Sequence, residues 1–210
     1  MTKKRILTTI VLVLLLQLLP GLSWSTTLLV DSTKFSKLKA VLIVGHQEDG
    51  TKEAIEKMEK IALFLKKKKV NVVSFYDQKA YWAKIKEAAK GAHFFIYSGH
   101  GSTMGENGCA GGLCVNSMVN SRTITEELKL ATNAIIIFKS VCNRAGSSAG
   151  DNGDIGIKEA EKRVSDYSNP FFKTGAAAYF ANNLGSGVEN FLKAFFEGKD
   201  IHSCYEASLG

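Results

Sequence analysis

Two residues of this chain, His100 and Cys142, have the types and the settings that could support covalent chemistry. His100 lies between two glycines directly after the run His93–Tyr97, whose aromatic and β-branched residues are typical of a strand buried on both faces. Cys142 follows a second apolar run, Ala134–Ser140. Because catalytic groups of open α/β sheets collect at the carboxyl ends of parallel strands, we expect His100 and Cys142 to lie at one sheet edge.

A cysteine nucleophile needs a neighbouring base that takes its proton, and His100 is the candidate base for Cys142. The backbone N–H groups of Gly101 and Cys142 would then face a developing oxyanion. Two other roles are open to Cys142: an inert apolar filler, or half of a disulfide. Its position between an apolar strand and a polar loop favours the nucleophile.

The rest of the chain alternates strand patterns with helix patterns, which predicts an α/β fold. We expect a three-layer sandwich with a mainly parallel sheet and helices on both faces. A long loop is expected over Ser102–Asn120, and a short helical turn is expected to begin at Pro170. The predicted strands are Lys39–Gly45, Val70–Phe75, His93–Tyr97, Ala134–Ser140 and Ala176–Ala181, and the predicted helices are Thr51–Lys67, Tyr81–Ala89, Thr123–Leu130, Ile157–Val164 and Val188–Phe196.

The amino terminus has the pattern of a secretory signal peptide. Residues 3–5 are basic, Ile6–Leu19 is an apolar run, and Ser23–Ser25 offers small residues to a signal peptidase. The predicted organisation is a signal peptide over 1–25, a lead-in or short pro-segment over 26–38 and one domain over 39–210. An uncleaved anchor is the alternative, but the apolar run is shorter than the roughly 20 residues that span a membrane.

Charge and composition exclude few classes of function. The signal peptide holds three of the 27 basic residues, so the mature chain has 24 basic and 20 acidic residues and a net charge of +4. The excess is concentrated in Lys66–Lys69, at the end of a predicted helix, where cations favour the helix dipole. We therefore expect no nucleic-acid partner, and no stable membrane span once the signal is cleaved.

Two segments resemble motifs of one protein family. Tyr97–Gly101, Tyr-Ser-Gly-His-Gly, is similar to the histidine motif of the caspase-like cysteine peptidases, in the metacaspase and gingipain-like branch. Phe138–Cys142 resembles the strand that delivers the family's nucleophile, and the resemblance extends over about Lys39–Phe196. It implies a caspase-like domain, a His100–Cys142 dyad, an oxyanion hole from the N–H groups of Gly101 and Cys142, and cleavage of proteins or peptides after a charged P1 residue.

The family's P1 pocket is lined in part by the residue two before the nucleophile, which here is the uncharged Ser140. The exit of the first strand is the other usual contributor, and it carries Glu48 and Asp49. Asp151, in the loop after Cys142, could also face substrate. These acids favour a basic P1 residue, although Asp49 also suits a helix N-cap, which we rate ahead of substrate binding.

The remaining cysteines suggest a structural role. Cys109 and Cys114 lie in the long loop and could close a small disulfide. Cys204 would then be free or would pair with another molecule. A zinc site at these cysteines has the wrong spacing. Asp151–Asp154 resembles part of a calcium loop, but Lys162 stands where an EF-hand requires an acid. We expect no metal and no cofactor.

The leading hypothesis is a secreted or periplasmic cysteine endopeptidase, and the loops around Lys162 and Arg163 are a candidate self-cleavage site. The alternative is a catalytically inactive caspase-like module that binds or scaffolds a partner, because a fold does not guarantee its chemistry. A flavodoxin-like phosphate-binding domain is a third hypothesis, but no Gly-x-Gly-x-x-Gly pattern opens a helix after the third strand. The oligomeric state is left open.

Overall fold

The computed structural model describes residues 35–101, 112–148, 151–182 and 187–210. Five strands form one sheet in the order β2-β1-β3-β6-β7, and every neighbouring pair is parallel. Two further strands, β4 and β5, form an antiparallel pair. The strands are β1 (Lys39–Val44), β2 (Asn71–Tyr76), β3 (Phe94–Ser98), β4 (Leu113–Cys114), β5 (Met118–Val119), β6 (Ala134–Lys139) and β7 (Ala176–Asn182).

Six α-helices accompany the sheet in the described ranges, and two short 3-10 turns follow the first two strands. Helix α1 begins and ends at the predicted residues because apolar side chains recur at helical spacing along it, at Met58, Ile61 and Leu65. The helices are α1 (Thr51–Lys67), α2 (Trp82–Ala89), α3 (Ser121–Glu127), α4 (Gly156–Phe172), α5 (Val188–Phe196) and α6 (Ile201–Leu209), and the 3-10 turns are Glu48–Gly50 and Asp77–Lys79.

The two faces of the sheet carry separate cores. In β3, Phe94 and Ile96 pack with α1 and α5, whereas Phe95 and Tyr97 pack with α2, α3 and α4. All four side chains are buried, as expected of a strand covered on both faces. The predicted α/β class, with a mainly parallel sheet and helices on both faces, is confirmed.

Three larger differences separate the observed elements from the predicted ones. Helix α4 does not stop at Val164 but runs through Pro170 to Phe172. Pro170 removes one helical hydrogen bond, but it lies close to the helix end, and Phe171 is buried against Phe95 and Phe138 at ring distances of 5.8 and 5.4 Å. That packing keeps the last turn helical.

The other two differences are additional elements. The region predicted as a loop over Ser102–Asn120 contains the hairpin β4–β5, whose strands are only two residues long and therefore too short to show a period. Helix α6 was not predicted, although its start has a readable signal. The Asp200 carboxylate accepts the Ser203 N–H at 2.9 Å, which is an ordinary N-cap.

The predicted signal peptide over 1–25 and most of the lead-in lie outside the described residues. The end of the lead-in is described, and Phe35 packs edge-on against Phe196 of α5, with 4.9 Å between ring centroids. In the part of the chain that the structure describes, no helix has the length and apolar character needed to cross a bilayer.

Candidate active site

The chain segments that carry His100 and Cys142 are in direct contact. Strands β3 and β6 are neighbours, with Tyr97 paired to Phe138, so both strands end at the same edge of the sheet. A Cβ atom on Gly101 would lie 2.1 Å from the carbonyl oxygen of Cys142. Only glycine therefore fits at position 101, and the backbone beside His100 touches the backbone of Cys142.

The phenol of Tyr97 fixes the turn that holds His100. Its oxygen lies 3.0 Å from the carbonyl oxygens of both His100 and Cys114, and it accepts the Cys114 N–H at 3.0 Å. The ring is fully buried, and this burial raises the pKa of Tyr97 far above its usual range. A Cβ on Gly99 would lie 2.2 Å from the phenol oxygen, so glycine is required there too.

Glu48 contacts the His100 imidazole. Its Oε2 lies 2.9 Å from His100 Nε2, and both side chains are more than half exposed. Glu48 adopts a positive φ of 44°, which is uncommon outside glycine. Since Glu48 occupies Nε2, Nδ1 is the nitrogen left to face a thiol. Among the described residues, no hydrogen bond joins His100 to Cys142.

The segment around Cys142 has an unusual backbone. Ser140 and Asn143 have φ values of 54° and 65°, in the left-handed region. The Cys142 side chain is half-buried, and Asn143 is 1% exposed. Functional sites often hold residues in such sparsely populated conformations, and here they turn the chain sharply on both sides of the cysteine.

The buried side chain of Arg144 holds this turn in place. Its guanidinium lies 3.8 Å from the centroid of the Tyr167 ring and 4.9 Å from that of Phe138, and it donates to the carbonyl of Gly112. Burial lowers the pKa of Arg144, and nearby tyrosines oppose the shift. The backbone carbonyl of Arg144 accepts the Tyr179 hydroxyl at 3.0 Å. Sequence reasoning missed this residue because its partners are distant in the chain.

Asp151 does not present an open carboxylate. Both of its oxygens accept from Nη1 of Arg163, at 2.8 and 2.9 Å, and its side chain is only 14% exposed. The Arg163 guanidinium holds the pKa of Asp151 below its ordinary value. Asp151 therefore ties the loop after Cys142 to helix α4.

A small pocket of about 150 Å³ opens at the carboxyl edge of the sheet, on the α1 side. Ser140 lines it, whereas Glu48 and Asp49 do not. Asp49 is not the N-cap of α1 either, because Gly50 holds that position. The other lining residues are Gln47, Gly50, Glu53, Ala54, Lys57, Ser98 and Lys139.

Lys139 is the pocket residue that the sequence analysis overlooked. It ends the apolar strand β6 and is 3% exposed, and burial lowers its pKa. Glu53 opposes that shift, and Glu53 itself forms an ion pair with Lys57 at 2.5 Å. The sequence does contain a signal for Lys139, because a lysine at the end of an otherwise apolar strand is unusual.

The structure describes three of the four cysteines. Cys109 lies outside the described residues, so its disulfide with Cys114 stays a prediction. Cys114, Cys142 and Cys204 each carry a free thiol in the structure, and the sulfur of Cys114 lies 3.8 Å from that of Met118. Cys204 is fully buried on α6.

The self-cleavage hypothesis placed loops around Lys162 and Arg163, and the structure contradicts it. Both residues lie in the middle of α4, where Lys162 pairs with Asp166 at 2.6 Å and Arg163 pairs with Glu159 at 2.8 Å. Proteolytic sites concentrate in exposed loops and not within paired helical turns. This segment is therefore a poor candidate for self-cleavage.

Comparisons with known proteins add little to what the structure shows. No protein-family model matches the chain, and no curated protein matches it. Among solved structures, the chain is similar to a short-chain flavodoxin associated with a bacterial microcompartment. The identity is 14% over 69% of this chain and 82% of that chain, and the TM-score is 0.39. A likeness of this size supports no inference about function.

Proposed function

We propose that this chain is a cysteine endopeptidase in which Cys142 is the nucleophile and His100 is its base. The observation that carries the proposal is the close approach of Gly101 to the Cys142 carbonyl, because it places adjacent residues of two sheet exits in contact. A thiol and an imidazole that come within hydrogen-bond reach at such an edge can act as a nucleophile and its base. The resemblance of Tyr97–Gly101 to the histidine motif of caspase-like peptidases supports the same assignment.

The reaction follows from these groups. Nδ1 of His100 takes the thiol proton, and the Cys142 thiolate attacks the scissile carbonyl carbon to form a carbon–sulfur bond. The oxyanion faces the N–H of Cys142, which donates to no other group within the described residues, and the N–H of Gly101. The imidazolium returns its proton to the leaving amine, and water then hydrolyses the thioester with His100 as base.

Glu48 has a supporting role in this scheme. Its carboxylate lies against Nε2 of His100, so it fixes the orientation of the ring during proton transfer. This is the role that the third residue plays in a nucleophile–base–acid arrangement. Glu48, expected from the sequence to contact substrate, is assigned here to His100 instead.

The proposed substrate is a protein or peptide with a charged P1 residue. The sequence favoured a basic residue, on account of Glu48, Asp49 and Asp151. Two of these acids are engaged elsewhere, Glu48 with His100 and Asp151 with Arg163. A peptide library with arginine, lysine, aspartate and glutamate at P1 decides the sign of the charge. The proposal includes secretion or a periplasmic location, on the strength of the signal-peptide pattern.

One observation favours a second candidate, a catalytically inactive module that binds or scaffolds a protein partner. No hydrogen bond joins His100 to Cys142 within the described ranges, and the carboxylate of Glu48 already occupies one imidazole nitrogen. Catalytic hydrogen bonds often tighten only when substrate binds. The reactivity of the thiol separates the two candidates.

The test is alkylation of Cys142 with an iodoacetamide probe between about pH 5 and 10, read by peptide mass spectrometry under reducing conditions. The peptidase proposal expects rapid labelling well below the roughly 8.5 of a free thiol, and slow labelling in His100→Ala. His46→Ala is the matched control, because His46 is an equally exposed imidazole paired with Asp77. Slow labelling that does not depend on His100 would leave the binding module as the better assignment.

A further inference from the structure

Arg163 reaches the residue next to the proposed nucleophile. Besides its two bonds to Asp151, its Nη1 donates to the side-chain oxygen of Asn143 at 3.2 Å, and its Nε donates to Glu159 at 2.8 Å. The Arg163 side chain is only 18% exposed. The guanidinium therefore spans three acceptors from two different parts of the chain, and an arginine fork does this where a lysine cannot.

The side chain, the N–H and the carbonyl of Asn143 each form a hydrogen bond. Its side chain is 1% exposed, its φ is 65°, and its own N–H donates to the carbonyl of Ser147 at 2.8 Å. The Gly146 N–H donates back to the Asn143 carbonyl at 3.1 Å. Because Asn143 directly follows Cys142, the bond from Arg163 controls the direction in which the chain leaves the thiol.

The same contacts close a ring of hydrogen bonds behind Cys142. Asp151 accepts from Arg163 and also from the N–H of Ser148, at 2.7 Å. The ring runs from Arg163 to Asn143, along the turn to Ser148, through Asp151 and back to Arg163. None of its members lines the pocket described at the sheet edge.

We propose that Arg163 is a positioning residue, which sets the distance of the Cys142 thiol from His100 through the side chain of Asn143. The inference rests on the proposed function, since it concerns the geometry of that dyad. Removing the fork lets the left-handed turn at Asn143 relax, and the thiol then loses its dependence on the imidazole. Asp151 shares this role by holding Arg163 in place.

The experiment is a double-mutant cycle between His100→Ala and Arg163→Met, with the rate of Cys142 alkylation near pH 7 as the readout. Networks of contacting residues couple by amounts worth about 2- to 100-fold. We expect Arg163→Met to slow labelling by about ten-fold and to shift its pH profile upwards. His100→Ala should then cause no further loss. Arg163→Lys should recover part of the rate, and Lys162→Met, on the same helix, should label like wild type.

Two measurements separate positioning from simple loss of the fold. Cys204 is fully buried, so it stays unlabelled as long as the domain is folded. Asn143→Gly keeps the left-handed backbone, which glycine adopts readily, and removes only the acceptor that Arg163 uses. This variant should reproduce the effect of Arg163→Met with Cys204 still protected.

Each outcome decides the question. If Asn143→Gly labels at the wild-type rate, or if His100→Ala slows Arg163→Met as much as it slows wild type, Arg163 has no positioning role, and the dyad stands. If His100→Ala has no effect in the wild-type background, the proposed function fails, and the positioning role fails with it. Loss of Cys204 protection in both Arg163→Met and Asn143→Gly would show that the ring of hydrogen bonds only maintains the fold. That result would overturn the inference.

Discussion

Two histidines at the same sheet edge invite comparison. His46 follows β1 and pairs with Asp77 at 2.9 Å, and His100 follows β3 and pairs with Glu48 at 2.9 Å, with 55% and 53% of the histidine side chains exposed. Each is next to a glycine that packs on the carbonyl of a cysteine. Gly45 approaches Cys114, as Gly101 approaches Cys142.

The differences lie in the ring nitrogen and in the cysteine. Asp77 occupies Nδ1 of His46, whereas Glu48 occupies Nε2 of His100. Cys114 is part of strand β4, and the phenol of Tyr97 binds its backbone, whereas Cys142 lies beyond its strand in a left-handed turn. A histidine, an acid and a cysteine thus occur together in two different settings at this edge. The settings differ in the ring nitrogen that the acid contacts and in the backbone around the cysteine.

The largest expected effect is on peptide cleavage. Cys142→Ala should abolish turnover, and His100→Ala should lower kcat/KM by about 100-fold or more, as expected from the loss of a general base. His46→Ala should change it by less than about two-fold. Steady-state kinetics on a peptide library measure all three. Equal losses in His46→Ala and His100→Ala would show that the two histidines do not differ in their contribution to cleavage.

Tyr97→Phe should have the next largest effect, because it removes the phenol that binds the His100 turn. The Cys114 N–H and two carbonyls would lose a buried partner, which costs about 1–3 kcal/mol in the free energy of unfolding. Tyr205→Phe, on the exposed face of α6, is the control and should be neutral. Urea unfolding checks both, and unchanged stability in Tyr97→Phe would show that the turn is held by other contacts.

The two thiols should differ in their reaction with alkylating reagents. Burial raises the pKa of the Cys114 thiol. A raised pKa leaves less thiolate at any given pH, and each pKa unit is worth about ten-fold in thiolate near neutrality. We expect Cys114 to label more slowly than Cys142 at pH 7, and its labelling to rise at higher pH. Site-resolved mass spectrometry after reduction tests this, and faster labelling of Cys114 would contradict it.

The smallest effects should come from the two acids. Glu48→Gln should slow alkylation of Cys142 by up to about five-fold, because exposed pairs of this kind are worth about 0.2–1 kcal/mol. Asp77→Asn should leave the rate unchanged, since the His46–Asp77 pair has no part in the proposed dyad. A loss of equal size in both variants would mean that the charge of the edge matters more than the contact with His100.

The fold was predictable where one stretch of sequence decides the outcome. Helix α1 was predicted to its terminal residues because its apolar spacing is regular. Strand β3 was predicted to within one residue at each end because aromatic and β-branched residues fill it. Helix α4 was cut short because Pro170 is a strong local signal, whereas the packing of Phe171 that overrides it is set by β3 and β6. Local rules fail where tertiary packing decides.

The same distinction between local signals and distant contacts applies to the candidate site. His100 and Cys142 were chosen from their motifs, and their nearness follows from strand order. The partners of these motifs were not predictable, because Glu48 is 52 residues from His100 and Arg163 is 20 residues from Asn143. Asn143 itself offered a weak signal, since asparagine tolerates the left-handed conformation that this turn requires.

The bond from the Cys114 amide to the Tyr97 phenol also makes the site observable in solution. An amide that is protected by a side chain exchanges its hydrogen with solvent only when that side chain moves away. The same phenol holds the carbonyl of His100, so the two groups are released together. The exchange rate of one backbone amide in β4 therefore reports on the opening of the turn beneath His100.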